Sequence, residues 1–187
     1  MSMGDRVVPE ANLEELAKTI DTLKKNYAGN KDIPISFRIE QLKNLKRGIE
    51  ETEAMCLKAY WEDLKGDESS VYQYNILTVL WEISGVIKNL HEWAQTRPVD
   101  TMTFLFLSKC YIKPQSRGVV CVIGSWNLLM SVTFLPLISV IAAGNLALIK
   151  PSEFAPSCSA YIKHLCDNYL HMDYYRCFEG GVKTSMQ

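Results

Sequence analysis

The sequence lacks an excess of charge of either sign: 20 Lys and Arg stand against 21 Asp and Glu in 187 residues. That balance excludes a polybasic nucleic-acid binder, whose affinity comes from neutralising phosphates. It lacks a Cys-x-x-Cys pair, and Cys56, Cys110, Cys121, Cys158, Cys166 and Cys177 are spread along the chain, which reads as the mostly buried, reduced thiols of a cytoplasmic protein. No apolar leader follows Met1 and no glycine stands at position 2, so neither secretion nor myristoylation is expected. His91, His164 and His171 are isolated, so no metal is expected and Ser-His-Asp chemistry is disfavoured. No Gly-x-Gly-x-x-Gly occurs, so the common dinucleotide fingerprint is absent. At 48% hydrophobic and 22% charged, the chain is too apolar for disorder and long enough to bury the core of one domain, or of one plus a small appendage.

The most informative absence is local. Between Arg117 and Lys150 there is no charged residue. A run that long raises the question of a membrane span, since about 20 apolar residues cross a bilayer. Its interior argues otherwise: Gly124-Ser125-Trp126-Asn127 interrupts it, Pro136 stands midway, and Gly144-Asn145 interrupts it again. Val119–Ile123 is a continuous, largely β-branched run, as expected for a strand buried on both faces of a parallel sheet. Residues 131–143 suit a helix with Val132, Leu135, Ile138 or Ser139 and Ala142 on one side, and 146–149 suit a second buried strand. Strand, turn, helix, turn, strand is a βαβ unit of an α/β fold, and no membrane segment is expected.

Upstream, apolar spacing predicts helices over about 10–26, from about 39 to 64, and from about 70 to 97, where Pro98 disfavours helix in the residue before it. Met102, Phe104, Phe106, Ser108 and Cys110 then alternate with Thr103, Leu105, Leu107, Lys109 and Tyr111, which reads as a strand that must pair. Downstream, 156–168 suits a helix, and 174–178 a short strand before Gly180-Gly181. The chain divides into a helical segment (1–100), strands (101–117) and the first part of a Rossmann-like parallel sheet (118–187).

Chemistry is expected where the strands end, because ligands of open parallel sheets bind at their carboxyl edge. The turn after the first strand offers backbone N–H groups and the neutral amide of Asn127, a group able to stabilise oxygen charge that develops during reaction. Asn is also a common helix cap, and spacing alone favours that plainer role. The second strand ends in Lys150-Pro151-Ser152-Glu153, a cation and an acceptor that could grip a polar ligand. Spacing alone favours an exposed charged turn there too.

Together, Gly118 through Asn127, Pro136, Ile141–Asn145 and Lys150-Pro-Ser-Glu153 resemble the amino-terminal half of aldehyde dehydrogenases, most closely the class 3 or fatty-aldehyde branch. The resemblance extends through Phe37–Leu42 and His91–Ala94 to Gly180–Val182. It implies oxidation of an aldehyde to a carboxylic acid with NAD or NADP, by hydride transfer from a cysteine thiohemiacetal. By the same resemblance Asn127 holds the oxyanion, Lys150 and Glu153 meet the adenosine ribose, and Ile123, Gly124, Ser125 and Trp126 line the cofactor. Residues 101–117 match the oligomerisation hairpin, so a homo-oligomer is implied.

Two departures stand out. Leu128-Leu129-Met130 follows Asn127, where the family usually has an aromatic residue, proline and phenylalanine. The family's second glycine turn, general-base glutamate and nucleophilic cysteine fall beyond the position of Gln187, so the catalytic domain is absent from these residues and the chain alone is expected to be inactive. Two expectations result: the amino-terminal part of a dehydrogenase, or a truncated pseudoenzyme that binds nucleotide or pairs with a homologue.

Overall fold

A computed structural model describes residues 8, 10–105 and 107–186. Eight α-helices and five strands are present among them. The helices are α1 (Leu13–Gly29), α2 (Ile35–Glu51), α3 (Glu53–Leu64), α4 (Glu68–Val71), α5 (Thr78–Trp93), α6 (Leu129–Ala142), α7 (Pro156–Tyr169) and α8 (Val182–Ser185). The strands are β1 (Arg97–Val99), β2 (Cys110–Ile112), β3 (Val119–Ile123), β4 (Leu146–Lys150) and β5 (Tyr175–Cys177). A π-turn (Tyr72–Leu77) joins α4 to α5.

The expected βαβ unit is β3–α6–β4, and β3, β4 and β5 form a parallel sheet in that order. Alternation along β4 divides its two faces. Leu146 and Leu148 pack with Leu23, Tyr27 and Ile33, whereas Ala147 and Ile149 join the larger core of α2, α5, α6 and α7. Asn145 fixes where the sheet begins: its Oδ1 accepts from Arg117 N at 2.6 Å and Gly118 N at 2.9 Å. At the far end of α6, Arg38 donates to the Ala142 carbonyl at 3.0 Å, a cation on the negative end of the helix. Gly144 (φ +72°) is required there, because a side chain would strike the Arg38 guanidinium at 2.6 Å.

Several sequence expectations need correction. The helix expected over 39–64 breaks at Thr52 (φ −116°), whose hydroxyl donates to the Gly48 carbonyl at 2.6 Å. The third helix ends at Trp93, and Arg97–Val99 is a strand. The strand expected over 101–112 is confined to Cys110–Ile112, paired antiparallel with Arg97–Val99, and Thr103–Leu105 forms a 3₁₀ turn; Phe106 lies outside the described residues. Strand β3 is not buried on both faces. It is an edge strand in which Val122 alone is fully buried, because no strand pairs with its outer side among the described residues. Helix α6 is buried over a wider face than the expected stripe: Ile138 and Ala142 are buried and Val132 and Leu135 half-buried, Ser139 is exposed, and Phe134, Leu137 and Ile141 are completely buried beside them. A helix apolar all round gives no phase to read. Among the described residues, no helix is long and apolar enough to cross a membrane.

Candidate functional site

The parallel register brings the two candidate segments together. Ile123 stands opposite Lys150, and Gly124 N donates to the Lys150 carbonyl at 2.9 Å, so the Gly124–Asn127 turn and the Lys150–Glu153 turn leave the sheet side by side. Both lie at the carboxyl edge, where the crevice of an open parallel sheet forms.

Neither Asn127 nor Lys150 sits as the plainer readings have it, although Ser152 Oγ accepts from Phe154 N at 3.3 Å, as a capping serine does. Asn127 does not cap α6, since the cap position is Leu128 and no side chain there accepts a helix N–H. The Asn127 Oδ1 instead accepts from the Ser125 hydroxyl at 2.6 Å. That bond occupies the amide oxygen and leaves its NH₂ without an acceptor among the described residues, on an exposed side chain. Lys150 is not on an exposed turn: it is 6% exposed, and its Nζ meets Glu153 Oε2 at 2.6 Å. Burial alone would raise the Glu153 carboxyl, but the hydrogen bond and charge of Lys150 outweigh it and hold the group below its ordinary value. The result is a buried cation already matched to an acceptor, with the carboxylate edge facing out.

The remaining candidates form the wall. Ile123 and Trp126 are more than half exposed, as is Phe154 beside them in sequence to Glu153. Exposed large apolar residues gathered at a polar turn mark a surface built for contact. Gly124 has no room for a side chain, since a Cβ would meet Thr133 Oγ1, and that buried hydroxyl has no hydrogen-bond partner. These features set exposed apolar side chains and a Lys–Glu pair together at the carboxyl edge of the sheet.

The four buried cysteines offer no nucleophile here. Cys56, Cys158, Cys166 and Cys177 are buried and unbridged. Burial pushes the Cys158 thiol far up and the negative Asp63 adds to it, whereas the Cys56 thiol is pushed up to about 12. A nucleophilic cysteine needs the opposite environment. No group of three potential metal ligands occurs among the described residues.

Sequence reasoning missed the residues that hold the site from behind. Tyr60 and Asn75 are buried polar side chains near the start of α6, and Asp63 accepts from Ser157 N (3.1 Å) and Cys158 N (2.8 Å) at the start of α7. The available signal was a polar residue on an otherwise apolar helix face, which is too common to act on.

A parallel sheet with a buried-glycine turn, an exposed amide and a buried lysine–glutamate pair at its carboxyl edge defines an α/β protein with its candidate site at that edge. Residues 6–170 match the aldehyde dehydrogenase family, and the chain belongs to that family. It is 37% identical over 165 residues to aldehyde dehydrogenase family 3 member A2 of Pongo abelii, covering 88% of this chain and 34% of that one. A solved structure of Staphylococcus aureus AldH in a substrate-bound state superposes with a TM-score of 0.88 at 35% identity, over 91% of this chain and 37% of that one. The fold is also that of glyceraldehyde-3-phosphate dehydrogenase GapN from Methanocaldococcus jannaschii, solved with NADP (TM-score 0.77, 19% identity, 94% and 38% covered). The chain spans about a third of the length of these relatives.

Proposed function

We propose that this chain supplies the cofactor-gripping and oxyanion-holding part of an NAD(P)-dependent aldehyde dehydrogenase, which oxidises an aldehyde to a carboxylic acid. The observation carrying this reading is the β3–β4 register, which sets the Asn127 turn beside the Lys150–Glu153 pair. Lys150 and Glu153 hold the adenosine ribose hydroxyls, the lysine donating and the carboxylate accepting. Ile123, Gly124, Ser125 and Trp126 wall the cofactor, and Gly124 lets the turn pack close against Thr133. Asn127 donates through Nδ2 to the substrate oxygen as it gains negative charge, its amide held in that orientation by Ser125. NAD(P), held by these residues, would supply the hydride acceptor. Residues 1–100, 101–117 and 118–187 form the helical, oligomerisation and cofactor-binding parts. The unbridged thiols support a cytoplasmic setting.

The test uses the 187-residue chain labelled with 5-fluorotryptophan, with the Trp126 resonance identified by Trp126→Phe. NAD⁺ or NADP⁺ is expected to move that resonance saturably and to leave the Trp93 signal in place, and Lys150→Ala is expected to weaken the response severalfold. No movement at millimolar cofactor overturns the reading. The chain alone is expected to show no aldehyde oxidation above blank; turnover abolished by Asn127→Ala contradicts that. A second reading, a pseudoenzyme that pairs with a homologue, is favoured by the exposure of Phe104 (75%) and Leu107 (88%) between β1 and β2.

A further inference from the structure

The start of α6 lies directly after Asn127, and its capping is unusual. The first N–H groups of a helix have no partner within it and need one from outside. Leu128 at the cap position has no side-chain acceptor to offer, and it sits in the left-handed region (φ +44°, ψ +43°). For a branched apolar residue that conformation costs roughly 1–2 kcal/mol, and with its side chain 45% exposed its own packing does little to impose it.

The missing cap comes from another helix. Met130 N donates to the Tyr60 hydroxyl of α3 at 2.9 Å, and that hydroxyl donates to Asn75 Oδ1 at 2.7 Å. All three residues are buried, Tyr60 at 2% and Asn75 at 3% exposure. Burying such groups is unfavourable unless each is satisfied, and here each link satisfies the next. Burial drives the Tyr60 phenol well above its ordinary value, so it stays a neutral donor. Asn75 reaches the chain because the backbone forms a π-turn there. The same turn presents the Tyr74 carbonyl to the Ser131 hydroxyl at 2.6 Å, a second tie one residue further into α6. Such π-turns are frequent at functional sites.

We propose that Tyr60 and Asn75 are positioning residues: the Asn75–Tyr60–Met130 relay caps α6 across the core, holds Leu128 in its left-handed turn, and so aims the Asn127 amide. The catalytic meaning rests on the reading of Asn127 above, but the mechanical claim stands on the geometry.

Tyr60→Phe removes one oxygen and keeps the ring. In the full 187-residue chain, the Met130 amide is expected to exchange with solvent about tenfold faster, the cost of one lost buried hydrogen bond. The 5-fluorotryptophan resonance of Trp126 is expected to move or broaden, while those of Trp81 and Trp93 hold. Global loosening would move all of them, which overturns the proposal, as does an unchanged Trp126 signal. The double variant Tyr60→Phe/Leu128→Asn supplies a residue that tolerates the left-handed region and is expected to restore the Trp126 resonance. Failure to restore it counts against the Leu128 link. If dinucleotide fails to bind the unmodified chain while Tyr60→Phe still shifts Trp126, the cofactor reading falls and the relay stands; the converse result sinks the relay alone.

Discussion

At the residue scale the site depends on contacts a few ångströms across. Gly124 faces the unpartnered Thr133 hydroxyl, so Gly124→Ala is expected to lower stability by about 1–3 kcal/mol through overpacking. Thr133→Ala alone is expected to be nearly neutral, because its hydroxyl gains nothing in place, and it should relieve much of the Gly124→Ala cost. Urea midpoints of the two single variants and the double variant check this; simple additivity refutes the contact. The Lys150–Glu153 pair has a pH signature. Its carboxyl titrates below the ordinary value, so the stabilisation is present above about pH 4.3 and lost as pH falls through the lowered value. In Lys150→Met both contributions of Lys150 are lost, leaving burial and the Glu10 charge, which raise Glu153, against one backbone N–H, which lowers it, so much of the acid-sensitive stabilisation goes. Stability measured between pH 6 and 3.5 should therefore fall more steeply in the unmodified chain than in the variant.

At the element scale, α3 is the organising helix. It carries Tyr60 and Asp63 three positions apart, and these cap α6 and α7, whose own cap residues, Leu128 and Ala155, offer no side-chain acceptor. Asp63 places a negative charge on the positive end of α7, so Asp63→Ala is expected to cost about 1–2 kcal/mol and Asp63→Asn less. A chemical denaturation series measures it; equal losses for both variants would show that charge is irrelevant. None of this was legible in the sequence, because a capping residue on one helix serving another leaves no local pattern. What was legible followed period and punctuation. The runs 119–123 and 146–149, bounded by Gly and Asn, led directly to β3 and β4, and with them to the turns that hold Asn127 and Lys150. The break at Thr52 was hidden because apolar residues continue on both sides, with only their phase changing. The π-turn was hidden because a 3.6-residue period assumes a regular helix; it moves burial from Tyr74 to Asn75 and Ile76. The alternation of 102–110 misled because residues 102–105 and 107–109 are exposed rather than pleated into a sheet, and Cys110 alone of them joins a strand.

At the scale of the whole molecule, two surfaces are left without partners among the described residues. One is the outer edge of β3, where Cys121 is exposed and no strand pairs. The other is the arm between β1 and β2, with Met102 (67%), Phe104 (75%) and Leu107 (88%) exposed. An unpaired edge is a template for intermolecular strand pairing, and a contiguous apolar arm seeks burial. The 187-residue chain is therefore expected to self-associate at micromolar concentration, seen as a weight-average mass above 21.3 kDa in sedimentation equilibrium. The two surfaces separate by substitution. Phe104→Ser/Leu107→Ser removes apolar area from the arm and leaves the sheet untouched, so it should lower the mass while association through the edge persists. Adding Cys121→Lys places a charge on the edge strand, a device natural sheets use against pairing, and should bring the chain to its monomer mass. If the arm substitutions alone give a monomer, association runs through the arm, as the oligomerisation role of 101–117 requires. An unmodified chain that is already monomeric and unfolds in one cooperative step would show that neither surface drives assembly, and the oligomer assigned to 101–117 would fall with it.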